Sequence, residues 1–241
     1  PPTYTAALDR TGLKGARMGI LREPMGYAAE PGSDDFKKIT EVFDKAVADL
    51  RAAGAEIVDP IVIPELKALL AKRVNSAEDD DKAFGEYFSG SANAPFVSRL
   101  DAMASPLFAQ VLKGARDRWL KRPPEAAYYE YLKARDLLMI YFLKVMADHR
   151  LDAIVHKAVE HQPTLIKDGV NPPYVDQKGA PYINTFLVFV PSIVVPAGFT
   201  RDKLPAGITF LGRPYDDANM VKFAYAYEQS THHRRAPAST P

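Results

Sequence analysis

Phe36, Ile39, Val42, Phe43, Ala46, Val47 and Leu50 recur at intervals of three and four, the spacing of one face of a helix over residues 34–53. Ser33 can cap its start and Gly54 can end it. Asp34 and Asp35 in the first turn and Arg51 in the last oppose the helix dipole. Short apolar runs flank this helix at 15–21 and 55–59 and read as strands. Strand, helix and strand in about 45 residues predict a crossover unit, and so a sheet that is partly parallel.

Further along, residues 64–73 predict a short helix and residues 76–87 a helix carrying the acidic run Glu78-Asp79-Asp80-Asp81, read as a solvated face rather than a metal site. Residues 91–106 mix Gly, Ser, Asn and Pro with isolated apolar positions, which predicts irregular structure or short helices. A long helical pattern over 125–149 buries Tyr128, Tyr131, Leu132, Leu138, Met139, Phe142 and Val145. Residues 151–155 read as a strand followed by a long loop, and loops of that length in compact domains tend to be functional. The run 183–199 carries Pro191 and Pro196, which argues against a membrane helix and for a loop followed by a buried strand. Strands at 192–195 and 206–211 predict a hairpin, and a closing helix at 219–231 turns Met220, Val221, Ala224, Tyr225 and Tyr227 inward. No repeat or biased linker divides the chain, so a single α/β unit over residues 1–241 is expected: a mixed, largely parallel sheet flanked by helices.

Composition narrows the chemistry. With 47% hydrophobic and 25% charged residues the chain reads as globular and soluble, and 31 Lys and Arg against 30 Asp and Glu leave a net charge of +1. That balance offers no field for nucleic acid or an anionic membrane. The absence of cysteine removes disulfides, thiolate metal sites and a cysteine nucleophile, and suits a cytoplasmic setting. Pro1 to Thr5 shows no basic segment leading into an apolar one, so nothing here resembles a secretion signal.

Candidate catalytic groups are sparse. No serine is followed three residues later by lysine, and there is no Gly-x-Ser-x-Gly elbow. His156 and His161 are five apart, where helical metal-ligand pairs prefer four, and His232-His233-Arg234-Arg235 suits the negative end of the closing helix. The basic residues of 116–122 surround Trp119 without the interleaved aromatics of a nucleic-acid surface.

Two blocks carry a resemblance. The first runs from Tyr4-Thr5-Ala6-Ala7-Leu8-Asp9 through Leu13-Lys14-Gly15-Ala16-Arg17-Met18-Gly19-Ile20. The second comprises Pro191-Ser192-Ile193-Val194-Val195-Pro196-Ala197-Gly198-Phe199, then Leu204-Pro205-Ala206-Gly207-Ile208-Thr209-Phe210-Leu211-Gly212-Arg213-Pro214, then Tyr225-Ala226-Tyr227-Glu228-Gln229. In content and order these resemble the C-terminal portion of the amidase-signature family. The resemblance implies an α/β fold whose mixed sheet takes strands from both halves of a longer chain. It also implies hydrolysis of a carboxamide carbon–nitrogen bond, in which a lysine and a serine on a cis peptide bond relay a proton while a second serine attacks the carbonyl. The family's serine–serine–lysine segment lies upstream of the matching blocks. The expectation is therefore that these 241 residues contain no catalytic triad, are inactive alone, and have the N-terminal half of an amidase and a small amide as partners.

The resemblance calls for no cofactor or metal, and a homo-oligomer is open. The remaining contribution is to the substrate pocket, for which the loops after strand ends nominate His156, Lys157, Tyr174, Asn184, Thr185 and Phe186. For Asn184, Thr185 and Phe186, loop hydrogen bonding or core packing is the competing role. Many family members carry a threonine flanked by prolines where this chain has His156-Lys157-Ala158, so substrate preference does not transfer. Two other readings stand beside this one: a truncated binding or storage module, and a component of an amidotransferase that handles ammonia on an acylated RNA.

Overall fold

A computed structural model describes residues 3–111 and 113–237. Its described residues fall into two compact units. One comprises the chain up to Leu70, Arg135–Pro163 and the residues from Lys178 on; the other comprises Ala71–Ala134 and Thr164–Gln177.

The first unit is built on a five-stranded sheet of order β2-β1-β3-β5-β4, with β1 Arg17–Leu21, β2 Glu56–Ile61, β3 Ala153–Lys157, β4 Ser192–Phe199 and β5 Pro205–Leu211. β1 pairs parallel with β2 and β3, while β5 pairs antiparallel with β3 and β4, so the sheet is mixed. The strand–helix–strand start is as the apolar pattern predicts. α1, Asp34–Ala52, joins β1 to β2; Ser33 Oγ accepts from the Phe36 amide, and Gly54 at φ +96° closes the helix. The Gly54 amide donates to Arg51 O and the Ala55 amide to Leu50 O, the paired bonds of a glycine-ended helix.

β3 is buried along its whole length because it lies mid-sheet with both faces covered. Ala153 and Val155 join Met18, Ile20, Ile208 and Phe210 in a core against the α1 residues Ile39, Phe43, Val47 and Leu50. α9, Asp217–Thr231, contributes Met220, Phe223, Ala224 and Tyr227 to the same core. Val221 and Tyr225, expected inside, are only half-buried, and Phe223 and Ala226 take their places. Both adjacent aromatic-rich registers satisfy a 3.6 period, and contact with the sheet selects one.

The strand at 192–199 departs from the buried reading. β4 is the sheet edge: Val195 and Ala197 are buried while Ser192, Val194 and Pro196 face outward, and Val194 is 58% exposed. Pro196 lacks an amide hydrogen, and an edge is where a sheet tolerates proline. β3 also runs two residues beyond the predicted 151–155, taking His156 and Lys157 into the sheet.

The second unit holds α3 Ala77–Ser89, α4 Arg99–Ala104 and α5 Lys113–Leu120. α2, Leu66–Leu70, precedes it in the first unit, and α6, Glu125–Asp148, crosses the boundary between units. α7, Ile166–Val170, belongs to the second unit, and α8, Ile183–Phe186, to the first. On α6, Tyr131, Leu138, Phe142 and Val145 are buried as the period predicts, together with Ala134 and Met146, while Tyr128, Leu132 and Met139 are half-buried. The acidic run divides. Glu78 and Asp79 are solvated, whereas Asp80 and Asp81 face Arg99, and Asp81 also pairs with Arg122.

Candidate functional site

The end of β3 gathers an unusual set of buried polar side chains: His156, Lys157, Glu160 and His161. Successive strand residues point to opposite faces, so Lys157 shares the α1 face with Val155 while His156 turns to the other. The Lys157 Nζ donates to Thr40 Oγ1 at 2.6 Å and stands 3.8 Å over the Phe36 ring, both on α1. Burial lowers its pKa to about 8, against the attraction of Glu160 and Asp44. Thr40 Oγ1 in turn donates to Phe36 O at 2.9 Å. A hydroxyl–amine pair therefore exists here, but the hydroxyl proton is directed at a carbonyl and the amine acts as donor. This arrangement ties β3 to α1 and does not activate Thr40 as a nucleophile.

Glu160 accepts from the backbone amides of Met25 at 2.9 Å and Gly26 at 3.0 Å, one to each carboxylate oxygen. Burial raises its pKa, and those two bonds with the charge of Lys157 oppose the rise. His161 takes a definite tautomer. The Glu30 amide donates to Nε2 at 2.9 Å, so the ring hydrogen sits on Nδ1 and points at Asp35 Oδ2, 3.1 Å away. Asp35 also accepts from the Gln162 amide. The acidic first turn of α1 thus serves a second purpose besides opposing the helix dipole. Gly179 closes the cluster at φ +76°; a Cβ there would lie 2.7 Å from the His161 nitrogen. Its amide donates to Tyr27 O and its carbonyl accepts from the Glu160 amide.

His156 donates from Nδ1 to its neighbour's carbonyl, Lys157 O, at 2.7 Å, leaving Nε2 buried and without a hydrogen-bond partner among the described residues. Burial lowers its pKa to about 4, so the ring is neutral in the fold. Among the described residues no group of three or more histidine, cysteine, aspartate or glutamate side chains is placed to hold a metal ion.

A model of the family described as Amidase matches residues 3–221. This chain belongs to the amidase family. It is 27% identical over 245 residues to a glutamyl-tRNA(Gln) amidotransferase subunit of Brevibacillus brevis, covering 95% of this chain and 47% of that protein. The corresponding protein of Brucella ovis is 31% identical over 252 residues, again with 95% and 47% covered. Among solved structures, native peptide amidase from Stenotrophomonas maltophilia superposes with a TM-score of 0.63 at 27% identity, over 96% of this chain and 46% of that one. The chain spans about half the length of the curated relatives it matches.

Within this amidase fold the nominated pocket residues occupy three places. His156 and Lys157 are the last two residues of β3 and are buried, as are Glu160 and His161 in the loop that follows. Asn184, Thr185 and Phe186 form α8 before β4: Phe186 is buried, Thr185 Oγ1 donates to Tyr182 O at 2.8 Å, and Asn184 Nδ2 reaches Ser192 Oγ at 3.4 Å. Tyr174 belongs to the second unit and is exposed. Glu160 and His161 were legible only as members of the loop after the strand. Their partners on α1 and at Met25 and Gly26 are more than 100 residues away in sequence, and no local pattern announces them. The closing basic cluster is also more specific than a dipole argument implies, since His233 Nε2 meets Asp49 Oδ2 at 2.8 Å and His232 takes φ +50° to end α9.

Proposed function

We propose that these 241 residues form one portion of an amidase-type hydrolase acting on the carbon–nitrogen bond of a small carboxamide. The serine nucleophile is contributed by polypeptide other than this sequence. The observation that carries the reading is the outer edge of the sheet. Among the described residues β4 offers an unpaired ladder, Val194 stands outward, and beside it Phe189 and Tyr215 stack on each other with ring centroids 5.5 Å apart while 68% and 76% exposed. An uncovered edge next to large exposed aromatics is a surface suited to further sheet and core. Family membership supplies the reaction class, and the sequence holds no Ser-x-x-Lys.

In this reading the chain supplies sheet, core and part of the pocket, in a cytoplasmic enzyme. Asn184, Thr185 and Phe186 on α8 are the pocket candidates of the first unit and the exposed Tyr174 is a separate candidate on the second, while His156 and Lys157 hold the end of β3 from within. The test is ammonia release from simple carboxamides by the 241-residue chain, alone and together with a polypeptide carrying the family's serine–serine–lysine segment. Activity only in the combination is expected. Turnover by a homogeneous preparation whose intact mass is 26.6 kDa would refute the assignment.

A second reading is favoured by the curated relatives, which are named as subunits of glutamyl-tRNA(Gln) amidotransferase. There the same chemistry would serve to release ammonia from glutamine within a multi-subunit assembly. Co-purification with partner subunits and a preference for glutamine over other carboxamides distinguish it.

A further inference from the structure

The second unit contains a cavity of about 460 Å³ whose wall includes Phe84, Tyr87, Phe88, Arg99, Arg118 and Trp119, within the range of roughly 300–1,000 Å³ typical of small-molecule sites. Asp80, Phe84, Tyr87 and Phe88 lie on one face of α3, the last three standing four, seven and eight residues along from the first. The Phe84 ring meets Phe88 at 4.7 Å and Trp119 edge-on at 5.7 Å. Tyr87 meets Phe88 at 4.9 Å and is 80% exposed, so an aromatic rim stands open to solvent.

Charge decides what such a rim would take. Arg99 is buried, with its guanidinium 5.0 Å from the Trp119 ring centroid; it lies 3.3 Å from Asp80 and 3.5 Å from Asp81, and Asp81 is shared with Arg122. Those two cations and two anions cancel. Arg118 remains, an exposed cation on the cavity wall with no ion-pair partner among the described residues. A guanidinium beside flat apolar surface matches a carboxylate attached by a short linker to an aromatic ring, with the carboxylate on Arg118 and the ring on the Phe84–Tyr87–Phe88 face. A cationic ligand would meet Arg118 unfavourably, because the carboxylate of Asp80 is already neutralised by Arg99.

The geometry points to a binding site for a small aromatic carboxylate, formed by Arg118, Tyr87, Phe84, Phe88 and Trp119. The site stands apart from the reaction proposed above and would survive its failure. Trp119 is the only tryptophan in the sequence, so tryptophan emission reports on the surroundings of this one wall residue.

The experiment titrates the 241-residue chain with 3-phenylpropionate at low salt and follows Trp119 fluorescence. The expected result is a saturable change with a dissociation constant of about 1 mM or below. 3-Phenylpropan-1-ol, which lacks the charge, binds about tenfold more weakly, and Arg118→Ala weakens the acid by a similar factor of about ten. Tyr87→Ala weakens acid and alcohol alike. Added salt reduces the preference for the acid. Both substituted side chains are exposed, and far-UV circular dichroism checks that each variant folds. No saturable change, equal affinity for acid and alcohol, tighter binding of phenethylamine than of the acid, or an Arg118→Ala variant that binds unchanged would each overturn the assignment.

Discussion

The neutral, fully enclosed His156 makes the sharpest stability prediction. In the fold its pKa falls from 6.5 to about 4 because burial disfavours the imidazolium, and the bond from Nδ1 to Lys157 O only partly opposes this. Between those two values the unfolded chain binds a proton that the folded one refuses, so stability rises with pH across that window and falls as the solution is acidified from pH 6.5 to 4. At about 1.4 kcal/mol per tenfold change in proton binding, the loss is on the order of 3 kcal/mol. Other groups titrate in the same range, so the assay compares the native chain with His156→Leu by urea unfolding at pH 7 and pH 4, read by far-UV circular dichroism. At pH 7 the variant lacks the Nδ1 bond and is the less stable by about 1 kcal/mol. At pH 4 the order reverses, because leucine has no proton to refuse. A stability difference equal at both pH values would show that His156 is already charged or hydrated in the native state, and the argument from burial would fail.

Lys157→Met removes a buried amine whose pKa is lowered to about 8. The native chain should gain stability as pH rises from about 8 toward 10.5, where the folded amine is deprotonated before the unfolded one, and the variant should lose that gain in the same unfolding assay. Tyr227 buries a hydroxyl with no hydrogen-bond partner among the described residues, so Tyr227→Phe is expected to be neutral or stabilising by about 1 kcal/mol in thermal melts; clear destabilisation would reveal a hidden partner. Gly179→Ala combines a positive φ with a Cβ 2.7 Å from the His161 nitrogen, and should cost about 2 kcal/mol or more, with faster amide exchange at Glu160 as the local readout.

Much of the fold was legible along the chain. α1, its cap at Ser33 and its glycine end follow from spacing and residue type, because these are interactions among neighbours separated by a turn or two. The β4–β5 hairpin was legible for the same reason. The site was not. Sequence placed His156, Lys157, Glu160 and His161 together after a strand, yet it could not show that β3 extends through Lys157, nor that Glu160 would find the amides of Met25 and Gly26.

What the sequence by itself determined was the local alphabet of helices and strands, the absence of cysteine chemistry and, through its two terminal blocks, the resemblance to amidases. Only the tertiary structure decided which face of α9 lies inward, that the proline-bearing β4 is an edge with an exposed side, and that half of an acidic run serves Arg99. The physical reason is one of range. Periodicity and capping act over a few residues, whereas burial, desolvation and buried ion pairing depend on which distant segments the packed sheet brings within a few ångströms of one another.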